Sequence, residues 1–558
     1  MKRFSYFQPC ALVAAAIALA FLLGPVWIFY AQAQAPEDLA HQAQKALADG
    51  DAQTALRLAI QALDSGLAGD ENRAVAFKIR GAARQTLGDL QGALADYSQA
   101  LAIAPHYPEA YNNRGAAFFE LGELQAAASD FAKALELRPD YAMARFNLAK
   151  TTLELGDAPA AARDLSIVIA QTKDNAPALY LRGRARQAMG LTVKAEEDYS
   201  AALALAPEAL DPAMARGMLR LEQGQAQNAL RDFETAIRVA SGNAPAHYNK
   251  GIALERLGQF EAAEASYSEA LRIDPALADA YNNRGALRNL AGRHAEALAD
   301  LDRAVRLAPQ FAPAYANRAH TYQRLGNDSL ALADLSHALT LAPELPGLHT
   351  QRGQLALAHR DFTAAEADFS AALAQNQSDR HALLGHAEAL LFLGQSNEAT
   401  ADLTELLHTG PSADLRAAAL KIRGRARFIS GEFDTAAEDF RQYLHLVPNF
   451  PYAEIWLYLA QIRAGAPQEP QKPDCLKPEW PCPVLLMLRG DLSAQALLKA
   501  AGQDKEQQCE ALFAAGQLSL AAGARVEAVR QFQAVLKTGL RGATEYPAAR
   551  AELQRLGF

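Results

Sequence analysis

Cysteine is nearly missing from this 558-residue chain, with Cys10, Cys475, Cys482 and Cys509 as the whole set. A disulfide framework therefore cannot be what holds so long a chain together. Strand-favouring Val, Ile and Thr are sparse, which argues against a fold built on sheets. Positive charge is not in excess, and a formal net charge of −9 excludes a general nucleic-acid surface. Catalytic signatures are missing as well: no GxxxxGK, no GxSxG and no HExxH occurs. His381 and His386 stand five apart and diverge on a helix, so no metal site is expected of them. Neither a cofactor nor an enzymatic activity is expected.

What is present begins with a separate N-terminal stretch. Lys2 and Arg3 precede an apolar run from Ala11 to Tyr30, followed by Ala31-Gln32-Ala33. A basic start, an apolar middle and small residues read as a secretory leader over residues 1–35, cleaved after Ala33. The alternative is an uncleaved inner-membrane anchor over residues 11–30, with Trp27, Phe29 and Tyr30 at the interface. Either reading predicts an exported, periplasmic protein. Beyond Cys10 three cysteines remain, an odd number. Cys475 and Cys482 flank a proline-rich loop that a disulfide could close, the alternative being free thiols.

Alanine and leucine dominate the remainder, and glycine and proline recur at a regular spacing. Self-comparison gives a period of 34 residues, with units starting at 74, 108, 142, 176, 210, 244, 278, 312, 346 and 380, then at 417 and 451. The stretch Pro108–Pro139 and its near copy Ala278–Pro309 carry the pattern most fully. The eighth place of a unit is Gly or Ala, as at Gly115. The twentieth is Ala, as at Ala127, and the twenty-fourth is large, as at Phe131. A first helix ending at Gly88, Gly122 and their equivalents, and a second stopping before Pro139 and its equivalents, follow from that punctuation. Small residues let the two helices approach, and such a pair buries its apolar face only by stacking on neighbours.

These residues resemble the tetratricopeptide repeat (TPR) family over nearly all of residues 36–465. The resemblance implies an all-α solenoid, a right-handed superhelix of about 13–14 helix pairs, whose concave groove is lined by the first helices. Asparagine recurs at the sixth place, at Asn113, Asn147, Asn249, Asn283 and Asn317, with Tyr180 and Tyr248 one place earlier. In the family that place faces the groove, and an amide can hold the backbone of an extended peptide. Proteins or extended peptides are the expected partners. Membrane contact is expected only if the N-terminal segment stays uncleaved.

The seventh place departs from the family in being basic, and the twenty-third is acidic. Pairs are expected at Arg80/Asp96, Arg114/Asp130, Arg182/Asp198, Arg216/Asp232, Arg284/Asp300, Arg318/Asp334, Arg352/Asp368 and Arg423/Asp439. Lys250 faces Ser266 instead, so loss of the arginine goes with loss of the aspartate. A bidentate brace between the two helices of a unit explains that joint loss. Lys78, Lys421, Arg425 and Glu388 are expected in the groove.

After Gly465 the period fails. A Pro- and Cys-containing linker over 466–483 precedes a helical module over 484–558, with one further pair and a closing helix that caps the solenoid. Trp480-Pro481, Gly490–Ser493, Gly516, Gly523, Glu545, Leu553, Leu556 and Gly557 resemble the C-terminal part of NlpI-type bacterial periplasmic TPR proteins. That likeness implies an envelope adaptor recruiting peptidoglycan hydrolases or proteases. The alternative function is a TPR component of a secretion or exopolysaccharide-export machine.

Overall fold

A computed structural model of the chain describes residues 35–466 and 479–558. The expected leader, Ala35 apart, and Cys475 lie outside the described residues. Thirty helices and no strand occupy those residues, so the fold is all-α. The chain divides into two compact units, Met1–Ile273 and Asp274–Phe558.

Within each unit the building block is a helical pair, and the repeat at 108 illustrates why. Pro108 opens the first helix, Pro108–Glu120, where a missing N–H costs nothing. Gly122 ends the turn with φ +79°, a left-handed conformation that glycine takes without a Cβ penalty. The second helix, Leu124–Leu137, follows. Elsewhere an aspartate starts the second helix: Asp89, Asp157 and Asp361 each accept a hydrogen bond from the first-turn backbone N–H three residues on.

The pair closes around the eighth and twenty-fourth places. Tyr97, Tyr199, Tyr267, Phe131 and Phe233 are fully buried there. A Cβ added at Gly183 or Gly251 would lie 2.5 Å from the facing tyrosine ring. Where alanine replaces the glycine, at Ala149, Ala319 and Ala387, the large residue is leucine: Leu165, Leu335 and Leu403. The buried tyrosines keep a polar tip, and their hydroxyls donate to Gln85, Gln187 and Glu255 at 2.7–2.8 Å.

Within each unit a first helix touches its own partner and the preceding second helix, and most first helices also touch the first helix of the next pair, Ala312–Arg324 and Leu348–Ala358 being an exception. Second helices make no comparable contact with one another. The layer of first helices is therefore the tighter, inner one, and the second helices splay outward.

One sequence expectation is modified. The linker ends sooner than expected, at the helix Cys482–Leu488, where Pro483 sits in the first turn and starts a helix instead of breaking one. Cys482 is disulfide-bonded. Cys509 is a free, buried thiol, raised to about 12 by burial and then by the charge of Glu545.

The closing helix, Glu545–Arg555, packs back on the inner-layer helices Arg380–Leu393 and Ala413–Ser430 as well as on Lys505–Ala521. Arg463 and Arg555 hold the fully buried Glu552, and Arg555 also donates to the carbonyls of Phe428 and Ile429. Arg360 takes the left-handed turn, at φ +60°, that glycine takes in the other units. Its side chain reaches Glu506 at 3.2 Å and lies against Gly542.

Candidate peptide-binding face

The eight basic–acidic positions meet in the structure. Arg80 joins Asp96, Arg114 joins Asp130, Arg182 joins Asp198 and Arg216 joins Asp232. Arg284 joins Asp300, Arg318 joins Asp334, Arg352 joins Asp368 and Arg423 joins Asp439. In each case Nε and Nη2 of the arginine donate to the two carboxylate oxygens at 2.6–3.1 Å.

The sequence pattern does not reveal how deep the acidic partners lie. Asp96, Asp130, Asp198, Asp232, Asp300, Asp334, Asp368 and Asp439 are all buried, only 1–7% exposed. The aspartates are therefore withheld from any ligand, and only the guanidinium edges are partly exposed. A carboxylate this deep stays charged only when its oxygens are paired, which is why the arginine is demanded. The remaining Nη1 carries the brace further, into the preceding repeat. Arg114 reaches Ser98, Arg182 Ser166, Arg216 Ser200, Arg318 Asp302 and Arg352 Ser336, at 2.9–3.3 Å. Lys250, with its single ammonium, drops the contact within its pair and keeps this outer one, to Glu234 at 3.4 Å. Arg318 is held well above its ordinary value, first by the Asp334 hydrogen bond.

The expectation of one arginine per aspartate is corrected in five repeats. Asp96, Asp198, Asp232, Asp300 and Asp439 each accept from a second arginine four residues on: Arg84, Arg186, Arg220, Arg288 and Arg427, at 2.8–3.0 Å. The R-x-x-x-R spacing in these repeats carries that signal, since i and i+4 share a helix face. Asp130 and Asp334 have no such second arginine. Phe118 and Tyr322 stand at its place, and the guanidinium of Arg114 or Arg318 lies over the ring. Asp368 instead accepts His349 Nδ1 at 3.1 Å as its second partner. Asp164, whose repeat has Leu148 at the seventh place, pairs with Arg145 at 2.9 Å. His386 occupies the arginine place of its own repeat and meets Asp402 at 2.7 Å. Burial opposes its protonation, but the hydrogen bond to Asp402 and the charges of Asp402 and Glu366 raise it above its ordinary value.

The asparagines at the sixth place lie half-buried on the inner helices. They are not a row of independent amides. Asn147 donates to Asn112 at 3.0 Å, and Asn112 donates to Asn113 at 3.3 Å. Asn317 donates to Asn282 at 2.9 Å, and Asn282 to Asn283 at 3.1 Å. The buried fifth-place asparagines, Asn112 and Asn282, thus relay each amide to the next repeat. The doubled Asn-Asn in these two repeats was the available signal. The Oδ1 atoms of Asn147 and Asn317 accept no hydrogen bond from described residues, and neither end of the Asn249 amide is engaged by one. Tyr180 and Tyr248 lean on the buried Tyr199 and Tyr267, with ring centroids 6.0 and 5.8 Å apart.

The expected groove charges divide. Lys78 lies over the Tyr107 ring at 5.5 Å. Glu388, Lys421 and Arg425 are partly buried, on helices against which the closing helix packs, and Arg425 lies near Glu510 and Glu545 of the C-terminal module. Burial raises Glu388 and lowers Lys421 and Arg425, and Arg425 lies over Trp456 at 5.8 Å. Beside them Glu510 is pushed up to about 7, first by burial and then by the charge of Glu545, while Trp480 Nε1 donates to it at 2.6 Å.

Comparison with known proteins adds the following. Family models described as tetratricopeptide repeat or TPR repeat match residues 83–122, 108–141, 214–278, 278–311, 312–345, 350–414 and 384–454, together more than half of the chain. Tetratricopeptide repeat protein 13 of Homo sapiens is 41% identical over 83 residues, which are 15% of this chain and 9% of that protein. The match therefore spans only a small part of that relative. Among solved structures, YrrB, a TPR protein with an unusual peptide-binding site, is 22% identical at a TM-score of 0.31, covering 36% of this chain and 99% of that one. A tetratricopeptide repeat protein from Parabacteroides merdae is 20% identical at 0.36, covering 43% and 94%. Yeast Tom70 is 18% identical at 0.30, covering 71% and 96%.

Proposed function

The chain belongs to the tetratricopeptide-repeat family, whose members are protein-binding scaffolds, and on that premise we propose that it is a non-enzymatic adaptor of the bacterial cell envelope. It holds an extended peptide or protein segment along the first helices within a unit. The observation that carries this reading is the unspent hydrogen-bonding capacity there: the amide of Asn249 and the Oδ1 atoms of Asn147 and Asn317. An amide offers donor and acceptor together, so it holds a peptide backbone without reading its side chains. The relays through Asn112 and Asn282 fix the neighbouring amides in place, which lowers the entropy cost of binding. The envelope location rests on the basic, apolar and small-residue order of residues 1–35. Among the described residues no helix is long and apolar enough to cross a membrane. The likeness of the C-terminal module to NlpI-type proteins supports peptidoglycan hydrolases or proteases as the recruited partners.

A photo-crosslinking residue at Asn249, compared with one at the outward Thr235, tests the face. Partners joined from Asn249 and not from Thr235 are expected. An identical set from both positions would remove the inner face as the binding surface. N-terminal sequencing of the exported protein, expected to begin at Gln34, tests cleavage of the leader.

A further inference from the structure

The outward surface of the repeats at 142 and 176 breaks the polar pattern of the rest of the array. At the twenty-sixth place the other repeats from 74 to 346 carry Gln99, Lys133, Ala201, Thr235, Glu269, Arg303, His337 and Ala371, but here Ile167 stands. At the sixteenth place they carry Asp89, Glu123, Asp157, Gln225, Gln259, Arg293, Asn327 and Asp361, but here Leu191. At the eighteenth, where Gln91, Gln125, Pro159, Gln227, Glu261, Ala295, Ser329 and Thr363 stand elsewhere, there is Val193. Ile167 is 42% exposed, Leu191 39% and Val193 67%, and Met189 beside them is 41% exposed.

Ile167 and Leu191 meet in one place, and Val193 stands beside it, outside the lining. A groove of about 700 Å³ runs between the second helices Ala158–Gln171 and Thr192–Leu205, with Ile167, Met189 and Leu191 among the apolar residues lining it. Arg163, Arg186 and Lys194 complete the lining. Arg186 is tied to Asp198 at 2.8 Å. Arg163 and Lys194 are exposed and have no carboxylate partner among the described residues. Glu197 lies beyond the lining, Glu196 is held by Arg220, and Asp164 by Arg145.

At the sixteenth place Asp89, Asp157 and Asp361 cap their helices, whereas Glu123, Gln225, Arg293, Asn327 and Leu191 do not. Among these uncapped positions Leu191 is the apolar one, and it adds an exposed apolar side chain to the groove. We propose that this outward groove docks an amphipathic helix of a partner protein, with its apolar stripe on Ile167, Met189 and Leu191 and extending over the exposed Val193 beside them, and carboxylates on Arg163 and Lys194. Charge complementarity selects an acidic partner: the two cations without carboxylate partners rim an apolar floor on a chain that is acidic overall. The gap between two splayed helices suits a third helix. This surface is separate from the inner face, and its test does not depend on that face.

The probe is a fluorescent synthetic helix of about 16 residues, with leucines at i, i+4 and i+7 and flanking glutamates, together with a twin carrying lysines for glutamates. Anisotropy titrations with the full chain are expected to show the glutamate helix binding at least about tenfold tighter than its twin. Ile167→Gln with Val193→Gln is expected to weaken the glutamate helix by about tenfold or more, and Arg163→Glu with Lys194→Glu to reverse the preference. Leu191→Asp is expected to abolish binding while raising the melting temperature, because it supplies a cap. Any of four results overturns the proposal: no binding at about 1 mM, equal binding of the two helices, insensitivity to the groove variants, or a lowered melting temperature for Leu191→Asp. Self-association that Val193→Gln dissolves, seen by sedimentation, would make a second copy of this chain the occupant and likewise overturn it.

Discussion

Single side chains decide whether a pair can close. Gly183 faces the Tyr199 ring, where an added Cβ would meet ring carbon at 2.5 Å. Gly183→Ala should therefore destabilise its unit by about 1–3 kcal/mol through overpacking. Adding Tyr199→Leu should recover most of that loss, because Ala149/Leu165, Ala319/Leu335 and Ala387/Leu403 already use that combination. Urea unfolding of both variants measures the recovery, and equal midpoints for the single and double variants would contradict it. Asp198 is clamped by Arg182 and Arg186, and its side chain is 4% exposed. Asp198→Ala should cost about 3 kcal/mol, since it strands two guanidinium groups that are themselves less than a quarter exposed. The eight Arg–Asp pairs were legible because the partners stand sixteen residues apart in eight repeats and are lost together at Lys250/Ser266. The second arginine was legible too, in the i, i+4 spacing. The depth of the aspartates was not, because a period places residues opposite one another without saying how much chain covers them. The asparagine relays were less legible still: Asn112 and Asn113 look alike in sequence, and only burial separates the buried link from the half-exposed amide.

Among the elements, the repeat at 380 is the one with a built-in pH response. His386 stands where arginine stands elsewhere, and its partner charges raise it above the ordinary 6.5 despite burial. A raised folded-state value means that its stabilisation is complete below about 6.5 and fades as pH rises through the folded value. Hydrogen exchange in the helices Arg380–Leu393 and Ser396–His408 should therefore quicken from pH 6 to pH 8, after correction for intrinsic rates. His386→Arg should remove that slope, and a slope that survives would place its origin elsewhere. Helix boundaries were readable wherever glycine, aspartate and proline punctuate the period. The exception is Cys482, where a first-turn proline starts a helix inside the stretch expected to be linker.

For the molecule as a whole, stacked pairs make each neighbourhood depend on its neighbours, while the C-terminal module adds contacts that skip many repeats. It also holds carboxylates that burial raises, Glu510 and Glu545. Glu510, up to about 7, faces Glu545, Glu506 and Arg425 as well as Trp480. A carboxyl raised in the folded state favours folding most at low pH and loses that advantage as pH rises from about 4.5 to 7. Glu510→Gln should therefore raise the melting temperature of the module at pH 8 and change it little at pH 5, read by tryptophan emission. The sequence by itself determined the helical pairs, their turns and the arginine–aspartate brace, because each of these is made by residues within one period of each other. Only the tertiary structure decided that Arg360 meets Glu506, that Arg555 reaches the carbonyl of Ile429, and that Glu388, Lys421 and Arg425 are partly buried. Those contacts join segments 126 and 146 residues apart with no repeat relating them. A periodic pattern specifies neighbours, and it carries no information about where the chain returns once the period has stopped.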